Sequence, residues 1–163
     1  MPKIAFFEIE EWEKPYIKDK LKSHKLYFFD EALNEINADK IKDADIISVF
    51  IYSKVNKKIL EKLKNLKLIA TRSTGFDHID IKECKKKDAI VCNVPFYGEN
   101  TVAEHTFALI LSLTRKIPKA WEKTRKLDFS SEGLRGTDLR GKTLGVIGVG
   151  SIGKHVIRIA NGF

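Results

Sequence analysis

Five short apolar runs, with room for a helix between successive runs, constrain this chain more than any other feature. They are Lys3–Ile9, Leu26–Phe29, Ile46–Ile51, Leu66–Ala70 and Ile90–Val94. Near-continuous apolar runs of this length suit strands of a parallel sheet covered on both faces. Trp12, Tyr16, Ile17 and Leu21 recur at helical spacing after the first run, and Glu31–Asp43 after the second is polar and weakly helical. Ile59, Leu60 and Leu63 mark a helix after the third run, and Ile79, Ile81 and Cys84 a short one after the fourth, with Asp77 expected as its cap. The expectation is an α/β fold, a flavodoxin-like parallel sheet with right-handed crossovers.

Pro95 ends that pattern, and Gly98 lies in a linker before the longest helical stretch, which opens at Asn100 and Thr101. Thr101-Val102-Ala103-Glu104 has the form of a capping box. Leu109, Leu113 and Ile117 trace one apolar face, while Phe107, Ile110 and Leu111 extend it around the helix. A helix this apolar is expected to be buried, by a second domain or by a partner subunit. Pro118 is expected to stop or kink it before a second helical segment, Lys119–Lys126. The polar residues 128–142 then lead into TLGVIGVGSIGKH, Thr143 to His155. The division expected is residues 1–99 as one domain and residues 100–163 as the start of another.

In that last stretch Leu144, Val146, Ile147 and Val149 read as a buried strand, and a helix pattern begins at Ser151. Between them Gly148, Gly150 and Gly153 make G-x-G-x-x-G in the strand–turn–helix context of a dinucleotide site. The first glycine allows the tight turn, the second the approach of a pyrophosphate, and the third close helix packing. A P-loop is the nearer rival, since GVGSIGKH matches G-x-x-x-x-G-K. It fails where a Ser or Thr hydroxyl must meet Mg²⁺, because His155 stands there. The acid that grips the adenosine ribose is expected about 20 residues further on. That lies past Phe163, so NAD and NADP are not distinguished.

The chain of 163 residues carries a formal charge of +8, and its isoelectric point is about 9.4. Its 30 basic residues are interspersed with 22 acidic ones and form a run only at Lys85-Lys86-Lys87. A solvated basic surface therefore explains the charge better than a nucleic-acid footprint. Cys84 and Cys92 have no metal-ligand spacing, and Cys92, inside an apolar run, is expected to be a buried thiol in a reducing compartment. The N-terminus meets acids too early for a signal peptide, and the apolar run near Leu109 is too short to span a bilayer. A cytoplasmic protein without membrane or metal partners is expected. His24, His78, His105 and His155 are scattered, so no catalytic group is assigned among them. Two loops that follow strands are better candidates. Arg72-Ser73-Thr74-Gly75-Phe76 offers backbone amides for a small carboxylate, and the loop from Val94 to Thr101 offers the Tyr97 hydroxyl. Ordinary turn chemistry explains either loop equally well on spacing alone.

Taken together, TRSTGFDHID (Thr71–Asp80), NVPFYGENTVAEHTFALIL (Asn93–Leu111) and LRGKTLGVIGVGSIGKH (Leu139–His155) resemble the D-isomer-specific 2-hydroxyacid dehydrogenase family, its D-lactate dehydrogenase branch in particular. The resemblance implies a flavodoxin-like substrate domain, followed by the first strand and helix of a Rossmann NAD-binding domain, with substrate held in the cleft between the two. It implies that Thr74 and Gly75 hold the carboxylate of a small 2-oxo or 2-hydroxy acid and that Tyr97 lines the substrate cleft. It also implies that Gly148, Gly150, Ser151, Ile152 and Gly153 bind the pyrophosphate of NAD. The helix from Asn100 resembles the element that contributes to a dimer interface. The family's catalytic Arg, Glu and His, and the returning C-terminal segment of its substrate domain, match no position here. The expectation is thus an N-terminal part of an NAD-dependent oxidoreductase acting on the CH-OH group of D-2-hydroxy acids, inactive alone. The alternative is a non-catalytic module that pairs with a full-length homologue.

Overall fold

The computed structural model describes residues 1–163, which form two compact units, Met1–Tyr97 and Gly98–Phe163. In the first unit β1 (Lys3–Phe6), β2 (Lys25–Phe28), β3 (Ile46–Val49), β4 (Leu68–Thr71) and β5 (Ile90–Cys92) form one parallel sheet in the order β2-β1-β3-β4-β5. This is the flavodoxin-like order, in which ligands gather outside the carboxyl ends of the strands. The connections carry α1 (Glu13–Lys20), a 3₁₀ turn (Asn37–Ile41), α2 (Lys57–Lys62) and α3 (Ile81–Lys86).

Strand register explains the core. Tyr27, Ala5, Ile47, Ile69 and Val91 stand in one row across the sheet, on the face that packs against Leu33, Ile41, Ile59, Leu60, Leu63 and Cys84. Phe7 continues this face just past β1 and stacks on Phe29 with ring centroids 4.6 Å apart. The opposite face carries Ile4, Phe6, Ile46, Leu26 and Phe28, covered by Ile17 and Leu21 at α1. That cover ends at β3. Further along the same rows, Ile90 is 63% exposed and Cys92 is exposed. Cys92 is therefore not the buried thiol its apolar surroundings suggest: it alternates onto the side of an edge strand that no helix covers. Cys84 is the buried one, and burial pushes its thiol up from the ordinary value.

Two helix starts differ from expectation. Asp80, not Asp77, caps α3, accepting a hydrogen bond from the Glu83 amide at 3.1 Å. The chain around Ile79 is taken by a bridge to Val55, so a helix cannot begin at Asp77. In the second unit α4 runs Glu99–Thr114 from an N-cap at Gly98. Thr101 and Glu104 thus lie inside its first turns, and no capping box forms. Pro118 opens a new helix, α5 (Ile117–Arg125), after a left-handed residue at Lys116. Its missing amide is harmless in a first turn.

The second unit is held by α4 packing on α6 (Ser151–Ala160), where Ala103, Phe107 and Val156 are buried and Phe107 stacks on Phe163 at 5.3 Å. The segment expected as a strand, Leu144–Val149, runs without a strand partner, and Ile147 is fully exposed. A strand needs a neighbour for its backbone, and this unit contains no other strand. Leu109 and Leu113 on α4, and Ile117 and Trp121 on α5, are exposed in the single chain. The apolar periodicity of α4 is as read from the sequence, but nothing in the chain covers these residues.

Candidate functional site

The carboxyl ends of the parallel strands place the segment Arg72–His78, which follows β4, at the edge where open α/β sheets hold ligands. Three successive carbonyls of this segment are tied back into the protein. Ser73 O accepts from the Val94 amide at 3.1 Å, Thr74 O from Asn93 Nδ2 at 2.8 Å, and Gly75 O from Ser73 Oγ at 2.7 Å. Thr74 Oγ1 adds a bond to Val94 O at 3.0 Å. The amides of Thr74, Gly75 and Phe76 make no hydrogen bond within the chain. Successive free amides in a turn are the donors from which anion-binding sites are built.

Gly75 fits that use. Its φ is not left-handed, and a Cβ added there would meet only Asp77 Oδ2, at 3.9 Å. The fold itself does not demand glycine. What the missing side chain leaves open is the approach from outside.

Beneath the loop lies a buried polar relay that sequence reasoning did not find. Thr71 Oγ1 lies 2.6 Å from Ser73 Oγ and 3.1 Å from His78 Nε2. The direction of the bonds follows from proton counting. Ser73 Oγ spends its single hydrogen on Gly75 O, so Thr71 must donate to Ser73, and His78 Nε2 must donate to Thr71. His78 is therefore fixed with a proton on Nε2, and that nitrogen is not available as a base. A two-bond proton–nitrogen NMR spectrum at neutral pH is expected to show His78 in its Nε2–H form; the Nδ1–H form would contradict the relay.

Glu8 and Arg72 brace the same edge. Glu8 sits just beyond β1 with φ 53°, a left-handed conformation that costs a non-glycine residue roughly 1–2 kcal/mol. Its carboxylate accepts from the amides of Phe50 at 3.0 Å, Tyr52 at 2.7 Å and Ser53 at 3.1 Å, and from the Ser53 hydroxyl. Arg72 Nη2 donates to the carbonyls of Phe7 at 2.8 Å and Glu8 at 2.6 Å, and Nη1 donates to Ser48 Oγ at 3.0 Å. Burial pushes the Arg72 guanidinium down from its ordinary value, opposed by nearby Glu13 and Glu8. With three of its five N–H donors given to the protein and Nε 3.9 Å from Glu13, Arg72 acts as a brace of this edge. Tyr97 lies 62% exposed, three residues beyond Val94, the loop partner of Thr74.

In the second unit the three motif glycines separate by physical role. Gly148 has φ +90°, which an L side chain adopts only under strain. At Gly153 a Cβ would stand 2.3 Å from Gly148 O, so only glycine lets α6 approach the turn. Gly150 meets nothing within 4 Å. It therefore has no steric role inside the chain, and a Cβ there would enter the space in front of the α6 N-terminus. The first-turn amides of Ser151, Ile152 and Gly153 lie there, since the first backbone bond of the helix runs from Lys154 N to Gly150 O at 3.0 Å. These residues fit a pyrophosphate. Gly150→Ala is expected to leave the helix content unchanged and to weaken any binding of ADP by at least tenfold; equal binding by the variant would remove Gly150 from the site.

A parallel sheet in flavodoxin-like order, followed in the second unit by a glycine turn that enters a helix, defines an α/β protein. Residues 4–153 match the family model of the D-isomer specific 2-hydroxyacid dehydrogenase catalytic domain, and the chain belongs to that family. It is 38% identical over 165 aligned residues to a 2-hydroxyacid dehydrogenase homolog of Haemophilus influenzae, covering 99% of this chain and 50% of the relative. With D-lactate dehydrogenase of Escherichia coli the identity is 36%, with the same coverage. Among solved structures, D-lactate dehydrogenase from Aquifex aeolicus, complexed with NAD and lactic acid, superposes with a TM-score of 0.92 at 38% identity, covering 98% of this chain and 48% of that one. The chain thus spans about half the length of the relatives it matches.

Proposed function

We propose that this chain serves an NAD-dependent oxidoreductase acting on the CH-OH group of small D-2-hydroxy acids, of the D-lactate/pyruvate type. Residues 1–99 act as its substrate domain and residues 100–163 as the start of its NAD-binding domain. The observation that carries the reading is the loop after β4, with three carbonyls anchored behind it and the amides of Thr74, Gly75 and Phe76 free. Those amides hold the carboxylate of the 2-oxo or 2-hydroxy acid and so fix the orientation of its C2. Tyr97 borders the substrate, and Gly148, Gly150, Ser151, Ile152 and Gly153 take the pyrophosphate of NAD. When bound, the nicotinamide supplies or accepts the hydride at C2. The chain alone does not complete that chemistry. The exposed apolar face of Leu109, Leu113 and Trp121 favours pairing with a second subunit through α4, either another copy or a full-length homologue.

Oxamate, which mimics a 2-oxoacid but is not reduced, is the direct probe. Charge-assisted bonds contribute about 1.5–3 kcal/mol each. Two or three of them, less the cost of fixing a small ligand, give a Kd on the order of millimolar. Titration of the nitrogen-15-labelled chain is expected to shift the amide signals of Thr74, Gly75 and Phe76 together. Saturable shifts elsewhere with these three unmoved would refute the assignment.

A further inference from the structure

We propose that Glu8 and Arg72 act as positioning residues for carboxylate binding, a reciprocal strap that sets the loop after β4 in register with the loop after β3. The proposal rests on the reading of Thr74–Phe76 as the carboxylate cradle. In the sheet order β1 and β4 flank β3, so neither strand touches the other. The two side chains bridge that gap in opposite senses. Glu8, from the end of β1, reaches the first amides beyond β3 and holds the backbone at Phe50, Tyr52 and Ser53. Arg72, from the end of β4, reaches past β3 at Ser48 to the carbonyls of Phe7 and Glu8.

The link is closed on itself. The residue whose carboxylate fastens the β3 loop is the residue whose carbonyl Arg72 grips, and Arg72 immediately precedes Ser73-Thr74-Gly75. A shift of Arg72 therefore moves the cradle directly, and a shift of Glu8 moves it through Arg72. The left-handed backbone at Glu8 supports this reading. Such a conformation persists when the surroundings over-determine it, and it is found at sites where positions are fixed for function. The larger of the two apolar clusters lies on the face of the sheet that carries Ile47 and Ile69, and Glu8 meets it through Ser53, whose Oγ accepts from the Leu33 amide at 2.9 Å. What the strap determines is where three strand ends sit relative to one another, to the tolerance that a two- or three-amide site needs.

Glu8→Gln keeps the size of the side chain but leaves one acceptor oxygen for amides that both carboxylate oxygens now serve. Arg72→Lys keeps the charge but loses the fork across two carbonyls. Each variant of the 163-residue chain is titrated with oxamate, and its amide exchange is measured. The expected result in each is an oxamate affinity at least fivefold weaker, with the unliganded Thr74 and Gly75 signals displaced and those of Ile47 and Ile69 in place. In Glu8→Gln the Tyr52 amide is expected to exchange at least tenfold faster. If either folded variant binds oxamate within twofold of wild type with the Thr74 and Gly75 signals unmoved, the strap is refuted; if one variant does not fold, the other decides. Should the wild-type chain show no oxamate shift at Thr74–Phe76, the carboxylate site itself fails. The strap is then judged by the displaced signals and the Tyr52 exchange alone, and unchanged values refute it.

Discussion

Supplied with NADH and pyruvate, the 163-residue chain is expected to oxidise NADH no faster than a mixture without protein. Reduction of a 2-oxoacid needs a proton delivered to its carbonyl oxygen as the hydride arrives, and a positioned acid or base contributes about 10²–10⁴-fold to such a step. None of the four histidines is equipped for it. His78 donates from Nε2 to Thr71, His24 is half-buried beside Ser23 Oγ at 3.2 Å, and neither His105 nor His155 bonds to a carboxylate. The Arg72 guanidinium, beside the cradle in sequence, is committed to Phe7, Glu8 and Ser48. On the proposed reading, the chain would hold a substrate without the groups that react with it. A rate proportional to the amount of chain, and abolished by Gly75→Ala, would show that the chemistry resides in these residues after all.

The second large effect concerns stability. Phe7 is completely buried and stacked on Phe29, at the junction of the β1 end with the main core. Phe7→Ala is expected to destabilise the first unit by about 3–5 kcal/mol, the range for a buried Phe truncated to Ala. That is a large part of the 5–15 kcal/mol that typically holds a domain folded. Denaturation followed by the backbone signals of Ile47 and Ile69 reports on this unit alone. The midpoint is expected to fall with little change in the slope against denaturant. A loss below about 1 kcal/mol would mean that the site collapses around the cavity, contrary to the close packing of this face.

Much of the fold is legible in the sequence because buried parallel strands leave an unambiguous mark. The five apolar runs each overlap a strand to within a few residues, and the helix spacings between them hold except in Glu31–Asp43, where only Asn37–Ile41 forms a 3₁₀ turn. Strand ends are less legible. Phe7 and Ile9 are as buried as the strand they follow, so the apolar run outlasts the pairing. Cys92 shows the converse, since an apolar neighbourhood in sequence says nothing of an uncovered edge. Helix caps mislead where two candidates compete: Asp77 and Asp80 are equally good chemically, and the bridge between Val55 and Ile79 decides for Asp80.

The candidate site divides similarly. Thr74 and Gly75 are visible as a polar, glycine-containing loop after a strand, and Gly148, Gly150 and Gly153 as a motif. The differing reasons for those glycines emerge only with coordinates. Glu8 is illegible, because within FFEIEEWE it reads as one of several surface acids. Its partners are backbone amides 42 to 45 residues away, and no side-chain pattern records a backbone amide. The apolar face of α4 is readable from its periodicity, which reveals a face without showing what covers it.

The central claim is that the loop after β4 receives a carboxylate on its backbone. A crystal structure of the chain soaked with oxamate tests it most directly. The account predicts a carboxylate oxygen at hydrogen-bond distance, about 2.7–3.2 Å, from the amide nitrogens of Thr74 and Gly75, with Ser73 O, Thr74 O and Gly75 O still held from behind. Oxamate bound instead to a lysine cluster or to the Arg72 guanidinium, with those amides left to solvent, would contradict it.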